Sequence, residues 1–310
     1  DKLLFGKSKE PKSKDYVKLG KVPTIISLTI VTVGIIFAVV RGFNFGVDFT
    51  GGTNINISST NDIDFNKVTE LVKKYDVRDY DYYMGTKKEG FIKLNDILDD
   101  ETSIKVKNQF KELGYETSSS EISTLVTKNL TNNSIKSLLI SLIAIIIYVK
   151  IRFNMNFAIV GILMLVHDVL IILSLFAIFY IPVDFIIVAS LLTIIGYSIN
   201  DTIVVFDRIR ENRKKIFNNR KELTDEEINK LVNVSSTSTF NRNIWTSITT
   251  IIAVVTLIAV GLNDIYTFNI SVLIGLIAGT VSSLLIGPRL WIRFEKRTMH
   301  KKDDDEDDDP

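Results

Sequence analysis

The chain has 310 residues, 46% of them hydrophobic and 24% charged, with 37 Lys and Arg against 36 Asp and Glu and a net charge of +1. At roughly 150 residues per domain the length fits about two domains, and the near-neutral balance excludes a strongly basic nucleic-acid binder. Without cysteine there is no disulfide scaffold, thiol chemistry or zinc–cysteine site, and His167 and His300 are the only histidines, too few for a histidine metal cluster.

Charge and apolarity are segregated along the chain. Residues 1–21 form a basic segment rich in Lys. Val22 to Val40 then runs without a charge and is long enough to cross a hydrocarbon core about 30 Å thick. It is too long for a signal-peptide core and lacks a small-residue cleavage site, so it reads as an anchor. After a hydrophilic stretch from Phe43 to Asn133 come five more apolar blocks: Ile135 to Val149, Phe157 to Tyr180, Phe185 to Phe206, Ile244 to Leu262 and Tyr266 to Ile286. Six spans of about 20 residues predict an integral membrane protein.

Lys and Arg set the expected orientation. They gather in the N-terminal segment, in the link with Lys150 and Arg152, in the link between the fourth and fifth spans, and after the sixth span at Arg289, Arg293, Lys296 and Arg297. The links Ile181 to Asp184 and Asn263 to Ile265 have none. Both termini are therefore expected on the cytoplasmic side and the 42–133 stretch outside. The acidic run Asp303 to Asp309 predicts an unfolded tail within 299–310.

The hydrophilic stretch reads as a folded domain. Thr53 to Ser58 alternates like a strand. Asp64 caps a helix from Phe65 to Tyr75 with Phe65, Val68, Leu71 and Val72 on one face. Strands from Asp79 to Met84 and Gly90 to Leu94 follow, with Gly85 in the turn. A helix from Thr102 to Leu113, apolar at Ile104, Val106, Phe110 and Leu113, stops at Gly114, and a last strand covers Tyr115 to Ser123. The order βαββαβ predicts a ferredoxin-like α+β domain. The expected organisation is a basic segment 1–21, a first span 22–41, this external domain 42–133, spans two to six over 134–298 with a cytoplasmic loop 207–241, and the tail 299–310.

Two carboxylates stand where lipid is expected: Asp168 in the third span and Asp201 in the fourth. A carboxylate at the centre of a spanning helix costs on the order of 2.5–3.5 kcal/mol, so it faces a bundle interior or water. The plainer reading of each is a neutral, hydrogen-bonded structural group. His167 is expected to point away from Asp168, because helix neighbours are about 100° apart. Arg242 opens the fifth span at a depth similar to Asp201, and an Asp that alternates between an Arg and water can bind and release a proton as a bundle rearranges. Its plainer reading is an Arg that snorkels to the interface. Gly275 and Gly279 form a GxxxG that suits helix packing. No GxxxxGK[ST] loop signals ATP use.

Phe45-Gly46-Val47-Asp48-Phe49-Thr50-Gly51-Gly52, Val166-His167-Asp168, the run from Gly196 through Asn200 and Asp201 to Asn212, and Arg242 before Thr246-Ser247-Ile248-Thr249-Thr250 together resemble the SecF family. The likeness extends from Val22 to about Arg297. It implies an α-helical membrane protein with six transmembrane helices in a resistance-nodulation-division-like bundle. It also implies a non-enzymatic subunit that works with SecD and uses the proton or sodium gradient, with no other cofactor, to help draw preproteins out of the Sec channel of the bacterial plasma membrane. The implied partners are SecD, the channel subunits SecY, SecE and SecG, the translocating preprotein and membrane lipids, and no nucleic acid. Asp201 and Arg242 match the family's intramembrane charge pair and Asp168 a further membrane acid, whereas Gly46, Asp48, Gly51, Gly52, Gly196 and Asn200 carry the motifs. Asn241 and Asn243 flank Arg242 where the family usually has Ser and Thr. A start at Asp1 rather than Met fits the C-terminal part of a fused SecD–SecF polypeptide or a processed chain. The competing class is an ion-coupled exporter of small solutes or lipids from the same superfamily, which would usually carry a second large external domain.

Overall fold

The computed structural model describes residues 15–74, 80–86, 88–94, 98, 100–122, 124–218, 220, 223–260 and 265–307. A short turn, α1 (Tyr16–Leu19), enters α2 (Lys21–Val40). An inserted α+β segment follows, made of α3 (Val47–Thr50), β1 (Gly52–Ser58), α4 (Phe65–Lys74), β2 (Tyr80–Thr86), β3 (Glu89–Leu94), α5 (Asp100–Glu112) and β4 (Glu116–Ile122). The chain returns through α6 (Thr124–Arg152), α7 (Met155–Phe179), α8 (Ile186–Phe217) and α9 (Asp225–Val260). It ends in α10 (Tyr266–Val281), a π-helical turn (Ser282–Ile286) and α11 (Gly287–Asp307). Six helices among the described residues are long and apolar enough to cross a membrane, one for each apolar block.

The helices outrun those blocks at their polar ends. α6 begins at Thr124, inside the stretch assigned to the inserted domain. α8 continues to Phe217 and α9 begins at Asp225, so most of the loop expected over 207–241 is two helical arms. α11 runs on to Asp307, where an unfolded tail was expected. Hydropathy marks only the part of a helix that meets lipid, and an existing helix grows by one hydrogen bond per residue without a new nucleus. The polar arms are tied together by ion pairs, Arg213 to Glu295 at 2.6 Å, Lys296 to Asp225 at 2.8 Å and Arg220 to Glu227. Beneath them Phe217, Leu223, Leu231 and the buried Trp291 extend the apolar core.

In the α+β segment the strands lie in the order β2-β3-β1-β4, every neighbouring pair antiparallel. Ile55, Ile57, Ile92 and Leu94 of the sheet pack on Val68 and Val72 of α4 and Val106 and Phe110 of α5. Two details differ from the sequence reading. Gly85 lies within β2 at a register shift between Met84 and Thr86, a bulge rather than the turn. On α5 the inward stripe is Ser103, Val106 and Phe110, and Ile104 and Leu113 are exposed, because helix positions three and four apart share a face and Ile104 is one step round from Ser103. Gly114, at φ +80°, ends that helix in the left-handed conformation glycine tolerates. Tyr75, Asp79 and Ser123 of the expected elements lie outside the described residues.

In the helical bundle α7, α8 and α10 bury their inward faces, whereas α2, α6 and α9 expose most apolar side chains. Close approach is set by small residues. Gly34 of α2 lies against Ser174 of α7, Gly275 of α10 against Ile194 of α8, and Gly279 against Ser198. The GxxxG of α10 is thus the seam with α8. A Cβ at Gly275 would fall 2.5 Å from Ile194 Cγ1. Gly275→Val is expected to destabilise the protein by about 1–3 kcal/mol through overpacking, read as a lower melting temperature in detergent, and Ile194→Ala in the same chain should restore part of the loss.

Candidate functional site

Asp168 is 1% exposed at the crossing of α7, α8 and the end of α10. Ser198 Oγ donates to its Oδ2 at 2.5 Å and Ser282 Oγ donates to the same oxygen at 2.9 Å. His167 Nδ1 lies 2.9 Å from Oδ1, so the neighbouring side chains bend toward each other instead of diverging. A 100° offset separates the Cα–Cβ directions but does not keep two long side chains apart once χ rotates. Three elements therefore converge on one carboxyl group.

The π-helical turn places Ser282 in this cluster. Gly287 N–H donates five residues back, to Ser282 O. Its cause lies one residue further on: Pro288 has no N–H for the Leu284 carbonyl and its ring crowds that group, which displaces the preceding turn. Beside this cluster Ser247 Oγ of α9 and Thr280 Oγ1 of α10 are 2.6 Å apart, and Tyr197 OH of α8 donates to Ser247 Oγ at 3.4 Å.

The second cluster is built differently. Asp201, 3% exposed on α8, and Arg242, exposed on α9, act on each other electrostatically but form no direct ion pair among the described residues. Asp201 Oδ2, Thr202 Oγ1 and both amide atoms of Asn243 are buried without a protein hydrogen-bond partner. Buried polar groups in native proteins are almost always satisfied, by water where protein is lacking. A cleft of about 540 Å³ opens alongside, lined by Asn200, Asp207, Arg208 and Glu211 of α8 and Ser238 and Arg242 of α9. Arg208 donates to Ser238 Oγ at 2.9 Å and to Glu211 at 2.7 Å, and Asp207 accepts from Arg152 at 2.8 Å, so these charges form a paired helix end. Gly196 is exposed on the face of α8 that also carries Asn200.

The structure thus brings Asp201, Asn200 and Arg242 to one place and sets Asp168 in another. Gly46, Asp48, Gly51 and Gly52 lie far along the chain at the entry to the sheet. Gly51 and Gly52 adopt φ +77° and +116°, which is why that turn into β1 takes glycine. Sequence reasoning missed Ser198 and Ser282 as partners of Asp168, since single Ser residues in apolar helices carry little signal, and marked Asn243 only as a departure beside Arg242. Pro288 directly after Gly287 was the available clue to the irregular turn.

A helical bundle with carboxyl groups buried among spanning helices, an α+β segment inserted after the first helix and a glycine-pair turn between them defines a multi-pass membrane protein with an intramembrane polar centre. Residues 103–297 match the family described as Protein export membrane protein SecD/SecF, C-terminal, and residues 36–63 match the SecD/SecF GG Motif. The chain belongs to this SecD/SecF family of protein-export membrane proteins. It is 37% identical over 290 residues to Protein translocase subunit SecDF of Bacillus subtilis, covering 93% of this chain but 39% of that one. It is 30% identical over 297 residues to Protein translocase subunit SecF of Alicyclobacillus acidocaldarius, covering 93% and 94%. The crystal structure of SecDF from Thermus thermophilus, a translocon-associated membrane protein, matches 92% of this chain and 39% of that chain, with a TM-score of 0.81 and 26% identity.

Asp168→Ala removes the acceptor that Ser198 and Ser282 share and the partner of His167 Nδ1, and is expected to cost about 3 kcal/mol. Asp168→Asn keeps one acceptor oxygen and should cost less. Equilibrium unfolding of the purified variants in mixed micelles gives the order.

Proposed function

We propose that this chain is an auxiliary, non-enzymatic subunit of the Sec protein-translocation machinery. It works with SecD at the Sec channel formed by SecY, SecE and SecG in the bacterial plasma membrane, and couples the proton or sodium gradient to late steps of preprotein export. The observation that carries the coupling is the pair of Asp201 and Arg242. A buried carboxyl with an unpartnered oxygen lies within electrostatic reach of an exposed guanidinium that lines a cleft of about 540 Å³, and its chain neighbour Asn200 lines the same cleft. Such a carboxyl can exchange a cation with water and with its charge partner as helices shift. Moving one charge through 100 mV is worth about 2.3 kcal/mol, enough to bias a two-state bundle. Asp168, closed and fully bonded, holds α7, α8 and α10 around that path.

The inserted segment is the ferredoxin-like domain on the external side, where it meets SecD or preprotein; its antiparallel order β2-β3-β1-β4 with two helices on one face supports that reading. The basic helix ends support cytoplasmic termini, with the arms at 207–241 on the same side.

Asp201→Asn and Arg242→Gln, each assayed in membrane vesicles that import a preprotein under an imposed gradient, are expected to lower export to the rate seen when the gradient is collapsed. Gradient-stimulated export at the unmodified rate by Asp201→Asn would overturn ion coupling, and failure to co-purify with a SecD chain in mild detergent would overturn the assignment to the complex.

A further inference from the structure

The α+β segment meets the helical bundle at a joint where polar contacts surround Phe43 and Phe49, which pack on the core cluster containing Val183. Phe45 and Val183 form a parallel bridge, Gly46 N donates to Val183 O at 2.9 Å, and Val183 N donates to Asn44 O at 2.7 Å. Asn44 Nδ2 donates to Tyr180 O at 3.2 Å, and the Arg41 guanidinium stacks 3.6 Å from the centre of the Tyr180 ring. From the sheet, the buried Lys93 of β3 donates through Nζ to Phe45 O at 2.6 Å. Asp48 Oδ2 accepts from Phe185 N at 2.8 Å, placing a negative charge on the first free N–H groups of α8.

Asp184 sits in the middle of this joint. Its Oδ2 accepts from Thr267 Oγ1 of α10 at 3.2 Å, and its Oδ1 packs so closely on Gly46 that any Cβ there would collide with it. Gly46 has φ −67° and ψ 170°, a conformation open to every residue, so the glycine's role there is to leave room for the Asp184 carboxyl, which a Cβ would push aside. Among the described residues the charged groups facing Asp184 are Asp48 from α3 and Lys93 from β3, and α10 adds the neutral Thr267. Burial and then the negative charge of Asp48 push the Asp184 carboxyl up to about 6, against the pull of Thr267 and Lys93.

We propose that this joint is a proton-operated latch: protonated Asp184 lets the α+β segment stay docked on the bundle, and ionised Asp184 loosens it. Ionisation sets a second half-buried carboxylate beside the half-buried Asp48, and protonation removes that repulsion. The docked joint binds this proton more tightly than a freely solvated carboxyl does. Docking is therefore tightened as pH falls below about 6, by up to about tenfold per pH unit until the ordinary carboxylate range is reached, and the gain is lost as pH rises through about 6. Because Asp48 caps the same helix that carries Asp201, the latch state is felt at the end of α8.

The chain has no cysteine, so a pair of spin labels can be placed cleanly at Asn108→Cys on α5 and Phe179→Cys at the end of α7, both exposed positions. In the full chain in lipid nanodiscs, the distance between them is measured by pulsed electron resonance at about pH 5 and about pH 7.5. The unmodified residues at the joint should give a shorter, narrower distribution at the lower pH and a longer, broader one at the higher. Asp184→Asn should remain docked at both, and Gly46→Ala, which expels the Asp184 carboxyl without altering charge, should be open at both. An absence of pH response in the labelled parent, or a parental response in Asp184→Asn, would overturn the latch. Asp201→Asn in the same labelled chain should keep the distance change, so the latch and the ion coupling at Asp201 stand or fall separately.

Discussion

The carboxyl group of Asp168 has to be satisfied in the apolar middle of a helical bundle, and the packing of α7, α8 and α10 follows from that need. Left in hydrocarbon, such a group costs on the order of 2.5–3.5 kcal/mol. Here two hydroxyls and an imidazole surround it at 2.5–2.9 Å. Hydroxyls on short side chains reach a neighbouring helix only when the backbones come close, which the glycines at 275 and 279 permit where α10 meets α8. The π-helical turn before Pro288 supplies the remaining adjustment by bringing Ser282 to the carboxyl.

Asp201 obeys the opposite logic. It is nearly as buried as Asp168, yet one of its oxygens is left without a protein partner, and so are its neighbour Thr202 and the amide of Asn243. A fully bonded carboxyl stiffens a structure, because every rearrangement must break its bonds. One without protein hydrogen bonds retains capacity for a partner. The two acids lie on adjacent helices and differ chiefly in how many donors surround them, which makes the first a fixed point and the second a place where chemistry can change.

Much of this architecture was legible in the amino-acid order. Uninterrupted apolar blocks set the six helices, because nothing else that length survives in a hydrocarbon layer, and alternation at Thr53 to Ser58 set the central strand. Asp201 and Arg242 stood out because charge is rare in such blocks. The helix ends beyond the lipid were not visible, since residues such as Thr124 to Asn133 look like any polar surface and become helical by continuation. Nor were the partners of Asp168, because a serine in an apolar run reads the same whether it bonds its own helix or a carboxyl on the next. Asp184 also passed unnoticed: at the end of a short link it looks solvated, and only the fold covers it.

One unbroken helix runs from the α+β segment to the polar arms. Asp201 falls near the midpoint of α8, with Ile186 about 22 Å away on one side and Phe217 about 24 Å away on the other at 1.5 Å per residue. The helix is thus a lever whose arms are nearly equal and whose fulcrum is an acid without a protein hydrogen bond among the described residues. A tilt of about 10° at that fulcrum carries each tip by about 4 Å, in opposite directions. That is more than a hydrogen bond's length at both the Asp48 cap and the ion-paired arms, so displacements too small to unpack the bundle at its centre suffice to exchange contacts at both surfaces.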